Sequence, residues 1–135
     1  VEVNCETDFV AATDAFRDFV RDVALHIANL SPQYVSREDV PASAIEYERS
    51  MQLRILKDDP KNANKPEEIL ERIIEGRMDK FFADMVLMEQ SFIKDDTKTV
   101  SDILQGTVAE VGESIQIARF ARFALGEGDD EPAEE

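Results

Sequence analysis

Phe9, Phe16, Val20, Val23, Ile27 and Leu30 recur at spacings of 7, 4, 3, 4 and 3. One apolar stripe of that period, kept up for roughly six turns, predicts a long amphipathic helix. Such a helix must bury its stripe, so the chain has to fold as layers built around it. Ser31-Pro32 stops it, because the residue before proline is pushed out of the helical region. Ahead of it, Val1 to Cys5 (VEVNC) alternates apolar and polar, the period of a half-buried strand. Thr7 or Asp8 stands where a side chain caps the helix by accepting a bond from an orphan backbone N–H. The sequence opens at Val1, inside that strand pattern, and reads as a processed form or an excised fragment.

Further elements follow from the same signals. Tyr34-Val35 has the make-up of a short strand. Ser36-Arg37-Glu38-Asp39 resembles a capping signal, and Pro41 suits the first turn of a second helix running to about Lys57. Its stripe (Ile45, Tyr47, Met51, Ile55, Leu56) is broad and uneven. Asp58 to Lys65 (DDPKNANK) is a polar loop. Pro66 opens a third helix, with Glu67, Glu68 and Glu71 at its positive end. The pairs Ile69/Leu70, Ile73/Ile74, Arg77/Met78 and Phe81/Phe82 recur every four residues and carry it through Gly76, although glycine costs about 1 kcal/mol there.

Met85 to Ile93 stays open between a helix end and an extended piece. Thr99 with Asp102 makes a capping box ahead of Val100, Ile103, Leu104, Val108 and Val111, and Gly112 sits where a left-handed cap ends a helix. Ser114 to Leu125 (SIQIARFARFAL) reads as a strand, with Ile115 and Ile117 on one face. The spacing of Phe120 and Phe123 makes a helix its rival. The expected fold is α+β, about four helices packed on a small, mostly antiparallel sheet made from the chain ends. It occupies residues 1–125, with residues 126–135 as a disordered acidic tail.

Charge and composition narrow the function. Thirty Asp and Glu against 15 Lys and Arg give a net charge of −15, and the acids are spread over the whole chain. That sign repels phosphate backbones and excludes nucleic-acid binding as the main task. A single cysteine, Cys5, closes no internal disulfide and points to a reducing compartment. With one histidine, His26, beside it, no tetrahedral zinc site is expected. No apolar run nears the roughly 18 to 20 residues of a membrane span, and no signal peptide or phosphate-binding glycine loop is present. Cys5 reads as a buried, inert thiol, and His26, one residue off the stripe, as a structural histidine. Neither catalytic residues nor a cofactor is expected.

Binding remains. Thr7-Asp8-Phe9-Val10 places an acid and a large aromatic at a strand-to-helix corner. Phe9 lies seven residues before Phe16, which favours it as the start of the core stripe with Asp8 as a cap. In the competing reading Phe9 turns outward as an interface anchor. Val111-Gly112 likewise reads either as a helix stop or as a small-residue patch that a partner's backbone can approach.

The blocks VEVNCETDFVA, LHIANLSPQYVSREDVP, NKPEEILERIIEGRMDKFF, KTVSDIL and the closing RFARFALGEG closely resemble bacterial and organellar translation elongation factor Ts, from Val1 to about Gly128. The resemblance implies a guanine nucleotide exchange factor for the GTPase elongation factor Tu, active in the bacterial cytoplasm or an organelle's stroma or matrix. It implies that Asp8 and Phe9, flanked by Thr7 and Val10, reach the partner's nucleotide-binding domain. There Phe9 wedges into an apolar pocket, and the disturbance spreads to the phosphate loop and magnesium site. Val111-Gly112 then contacts a second domain of the partner.

A core that associates as a homodimer is also implied. Ala121 stands where some short members carry a bridging cysteine, so no intersubunit disulfide is expected. The family's N-terminal helical module, and the hairpin strand before Val1, are missing from the pattern. The alternative is a structural or dimerisation module of the same fold without exchange activity of its own.

Overall fold

The computed structural model describes residues 1–128. The chain runs β1 (Glu2–Cys5), α1 (Asp8–Ala11), α2 (Asp14–Leu30), α3 (Ala42–Asp58), α4 (Glu67–Met85), β2 (Ser91–Phe92), β3 (Asp95–Thr99), α5 (Val100–Val111) and β4 (Ile115–Arg119). The α+β class is as expected: the described residues form four long helices, one short one, and small antiparallel sheets. β1 pairs with β4 and so joins the two ends of the fold, with Val3 opposite Ile117 and Cys5 opposite Ile115. β2 and β3 form a second antiparallel pair, Ser91 opposite Thr99. The sequence gives no sign of β3, because DDTKT has no apolar alternation to betray it. Tyr34, read as a short strand, makes a single parallel bridge to Val86.

The expected helix from Phe9 to Leu30 is two helices, broken at Ala12 and Thr13. The Thr13 hydroxyl causes the break, since it serves both ends. It donates to the Val10 carbonyl at 2.7 Å, closing α1, and accepts from the Phe16 N–H at 3.3 Å, starting α2. Helical spacing is therefore interrupted between Phe9 and Phe16. Phe19, outside the expected stripe, joins Phe16, Val23 and Ile27 in the core instead, while Leu30 is exposed. Ser31 ends α2 in the left-handed conformation, φ 50°.

Three further expectations change in detail. Ser36 and Asp39 do make a capping box, but for one 3-10 turn at Arg37–Asp39; α3 starts at Pro41 without a side-chain cap. Tyr47, Met51 and Ile55, read as part of the α3 stripe, are exposed, and Leu56 is the buried residue of that helix. The last strand stops at Arg119, because its four-residue partner β1 is used up where Glu2 meets Arg119. Residues 129–135, most of the expected acidic tail, lie outside the described residues.

Burial divides into two clusters. The first gathers Val10, Phe16, Phe19, Val23, Ile27, Leu87, Phe92, Val100, Ile115 and Ile117, beneath α1, α2, α5 and the β1/β4 pair. The second gathers Val40, Leu56, Ile74, Met78, Phe82 and Val86 between α3 and α4. In α4 the second members of the last three expected pairs, Ile74, Met78 and Phe82, are buried, Leu70 is half-buried, and Met88 packs against both clusters.

Candidate functional site

The end of β1 and the start of β4 lie side by side, so the corner before α1 and the corner after α5 meet there. Thr7 begins α1 as its N-cap, its hydroxyl oxygen accepting from the Val10 N–H at 3.3 Å. Val10 is buried and anchors this single turn in the first core. A helix turn held by one inward residue must present its neighbour outward, and Phe9 is 82% exposed. The reading of Phe9 as the first residue of the core stripe is thus overturned. Asp8 stands exposed beside it in the first turn.

Across from this turn, α5 ends as the sequence predicts. Thr99 and Asp102 form their reciprocal capping box at its start. Gly112 closes it at φ 74°, its N–H donating to the Val108 carbonyl at 2.9 Å. Val111 is half-buried against the first core, and Gly112 is exposed. The next residue, Glu113, reaches back across the corner. Its carboxylate accepts the Thr7 N–H at 3.1 Å and the Thr7 hydroxyl at 2.6 Å. In the opposite direction the Ser114 N–H donates to the Glu6 carboxylate at 3.4 Å. Glu6, Asp8 and Glu113 thereby bring three acids to the corner that carries Phe9. Sequence reasoning gave Glu113 no contact, since its bond to Thr7 spans 106 residues and leaves no local signal.

Cys5, expected buried, is half-buried, and its Sγ donates to the Thr7 carbonyl at 3.2 Å. His26 is away from this corner and fully buried at 0% exposure. Its Nδ1 accepts the Ile93 N–H at 3.2 Å, which leaves the proton on Nε2 to donate to Gln90 Oε1 at 2.8 Å. Burial holds its pKa below the ordinary imidazole value, opposed by the bond to Gln90. The imidazole also stacks on Phe92, with centroids 6.0 Å apart. Gln90 in turn donates to the carbonyls of Asp84 and Leu30. This buried network ties α2 to the segment after α4. The corner thus offers one exposed aromatic ring, acidic side chains and a glycine with no side chain at the end of α5.

The profile of the family described as Elongation factor TS matches residues 18–127. Elongation factor Ts of Geobacter sulfurreducens is 53% identical over 128 residues, 95% of this chain and 57% of that protein. Elongation factor Ts of Thermoanaerobacter sp. is 51% identical over 95% of this chain and 61% of its own length. That of Carboxydothermus hydrogenoformans is 52% identical over 95% of this chain and 57% of its own. The chain therefore spans about three fifths of the length of these relatives. Taken together, the profile match and identities above one half across nearly the whole chain settle its kinship: the chain belongs to the elongation factor Ts family.

Proposed function

We propose that residues 1–125 are the core, dimerisation domain of a guanine nucleotide exchange factor, which binds the GTPase elongation factor Tu and speeds release of GDP. The observation that carries the reading is the 82% exposure of Phe9, held on a turn whose other side is anchored in the core. An aromatic side chain left this open has its apolar surface available for burial in a partner's pocket. Asp8 and Thr7 flank it, Val10 supports it from beneath, and Val111-Gly112 supplies the second contact, where absence of a side chain lets a backbone approach.

Exchange on this scheme forms no covalent bond and uses no cofactor of the factor's own. The factor binds the nucleotide-free partner more tightly than the GDP-bound partner, and by linkage GDP binding weakens by the same ratio. Bacterial relatives favour the bacterial cytoplasm over an organelle's stroma or matrix. The net charge of −15 argues for a protein partner rather than a nucleic acid. A homodimer is supported by the outer edges of the two-stranded β1/β4 sheet, with exposed Phe123 and Leu125 after it. Sedimentation showing only monomer at micromolar concentration would count against it.

The test of exchange is stopped-flow release of fluorescent GDP from elongation factor Tu. The chain accelerates release in proportion to its concentration, and Phe9→Ala weakens the effect by about 30-fold, the equivalent of a hot spot near 2 kcal/mol. No acceleration from a chain shown to be folded would leave the alternative, a structural module without exchange activity.

A further inference from the structure

We propose that Glu113 is a positioning residue for the partner contact, holding the Thr7–Phe9 corner and the Val111-Gly112 corner in one fixed arrangement; this rests on the function proposed above. A helix of four residues cannot hold itself, because closing its first turn fixes several dihedrals for a single hydrogen bond. Val10 and the half-buried Ala11 anchor α1 from below and the Thr13 hydroxyl closes its end, but its first turn still needs a hold on Thr7. Glu113 supplies the missing constraint from 106 residues away.

Its carboxylate takes both donors of one residue, the Thr7 N–H at 3.1 Å on Oε2 and the Thr7 hydroxyl at 2.6 Å on Oε1. With the hydroxyl proton committed to Glu113, the remaining lone pairs of that oxygen face the Val10 N–H at 3.3 Å. One carboxylate thus sets both the place of Thr7 and the orientation of the cap that starts α1. Phe9 is two residues further on.

On its other side Glu113 follows Gly112 directly, and the positive φ of that glycine turns the chain from α5 into β4. The Ser114 N–H to Glu6 contact runs the opposite way across the same gap. The last backbone pair of the sheet is Cys5 opposite Ile115, so the two acids extend the β1/β4 pairing past the strand ends with side chains. A partner touching both corners meets them already ordered, and the entropy of ordering them is not charged to binding.

Two measurements on the full chain test this. Amide hydrogen exchange followed by NMR reads the Glu113–Thr7 contact, and GDP release from elongation factor Tu reads the positioning. Glu113→Ala is expected to raise exchange at the Thr7 and Val10 amides at least about tenfold, with the α2 amides still protected. It raises the chain concentration for half-maximal GDP release by about tenfold and leaves the maximal rate unchanged, since Phe9 itself is intact. Glu113→Gln, which keeps one acceptor oxygen for one of the two Thr7 donors, recovers part of both effects.

Unchanged Thr7 exchange in Glu113→Ala overturns the proposal. So does raised exchange with an unshifted half-maximal concentration, or a glutamine variant as impaired as the alanine one. If the wild-type chain itself fails to speed release, the reading of function falls and the positioning role falls with it. A working wild type beside an unaffected Glu113→Ala overturns the positioning role alone.

Discussion

Helices α2 and α3 are each 17 residues long, yet they end up in very different surroundings. Around α2, apolar residues from α1, α5, β2, β4 and the segment after α4 close over Phe16, Phe19, Val23 and Ile27. Around α3, Leu56 is buried against α4, while Tyr47, Met51 and Ile55 face away from it. A helix covered from several sides buries most of its apolar stripe, whereas one covered by a single neighbour buries a seam. The proposed contact corner is built on the first kind of packing. Its exposed Phe9 rests on a well-filled core, and the helical pair stands apart from it.

This contrast can be broken or sharpened by substitution, and the largest expected effect is in the core itself. Phe19→Ala is expected to cost about 4 kcal/mol, and Leu56→Ala in the α3/α4 seam about 2 to 3 kcal/mol. Urea denaturation of both variants measures the difference; equal losses would mean that the two clusters are equally well packed.

His26 gives the next effect, through pH. Its folded-state pKa is lowered by burial, so the folded chain resists a proton that the unfolded chain accepts near the ordinary histidine value of about 6.5. Above that pH neither state is protonated and the full stability is present. As pH falls below it, the unfolded state takes up the proton first and stability drops, with a limiting slope of about 1.4 kcal/mol per pH unit, down to the folded pKa. Denaturation midpoints between pH 7.5 and 5 should fall more steeply for wild type than for His26→Gln. Parallel profiles would show that the buried imidazole is not the group responsible.

Gly112→Ala is expected to destabilise by about 1 kcal/mol. A Cβ there meets open space, so the loss comes from the positive φ alone and should appear as a small drop in melting temperature. Smallest of all, Phe9→Ala and Tyr47→Ser should each change stability by less than about 0.5 kcal/mol. Phe16→Ala is the control, because Phe16 is 7% exposed against 82% for Phe9. A large loss of stability in Phe9→Ala would mean that the ring packs on the fold, and that its exposure is not reserved for a partner.

Much of this architecture is legible in local signals. The capping box of Thr99 and Asp102, the left-handed Gly112, the stop at Ser31-Pro32 and the paired apolar residues of α4 each follow from bonds within a few residues of one another. The alternation in VEVNC and SIQI identifies two strands that sit at opposite ends of the fold and pair with each other. The same reading misplaces Phe9, because period alone cannot register that the Thr13 hydroxyl interrupts the helix. It misses β3, whose polar residues are held by backbone pairing with β2.

What the sequence determined by itself is therefore the inventory: four long helices, the cap at each end of α5, strands at both ends, an acidic composition, and a TDFV block that carries its family resemblance. Tertiary structure alone decided which apolar residues face inward, since Tyr47 and Leu56 differ in what lies opposite them and not in hydrophobicity. It also decided which of the 30 acids reaches Thr7 across the corner. Glu113 is chemically the same as its neighbours until the pairing of β1 with β4 brings Thr7 within 2.6 Å of it. Long-range pairing joins residues that local bonding cannot relate, and the proposed site depends on such a pair.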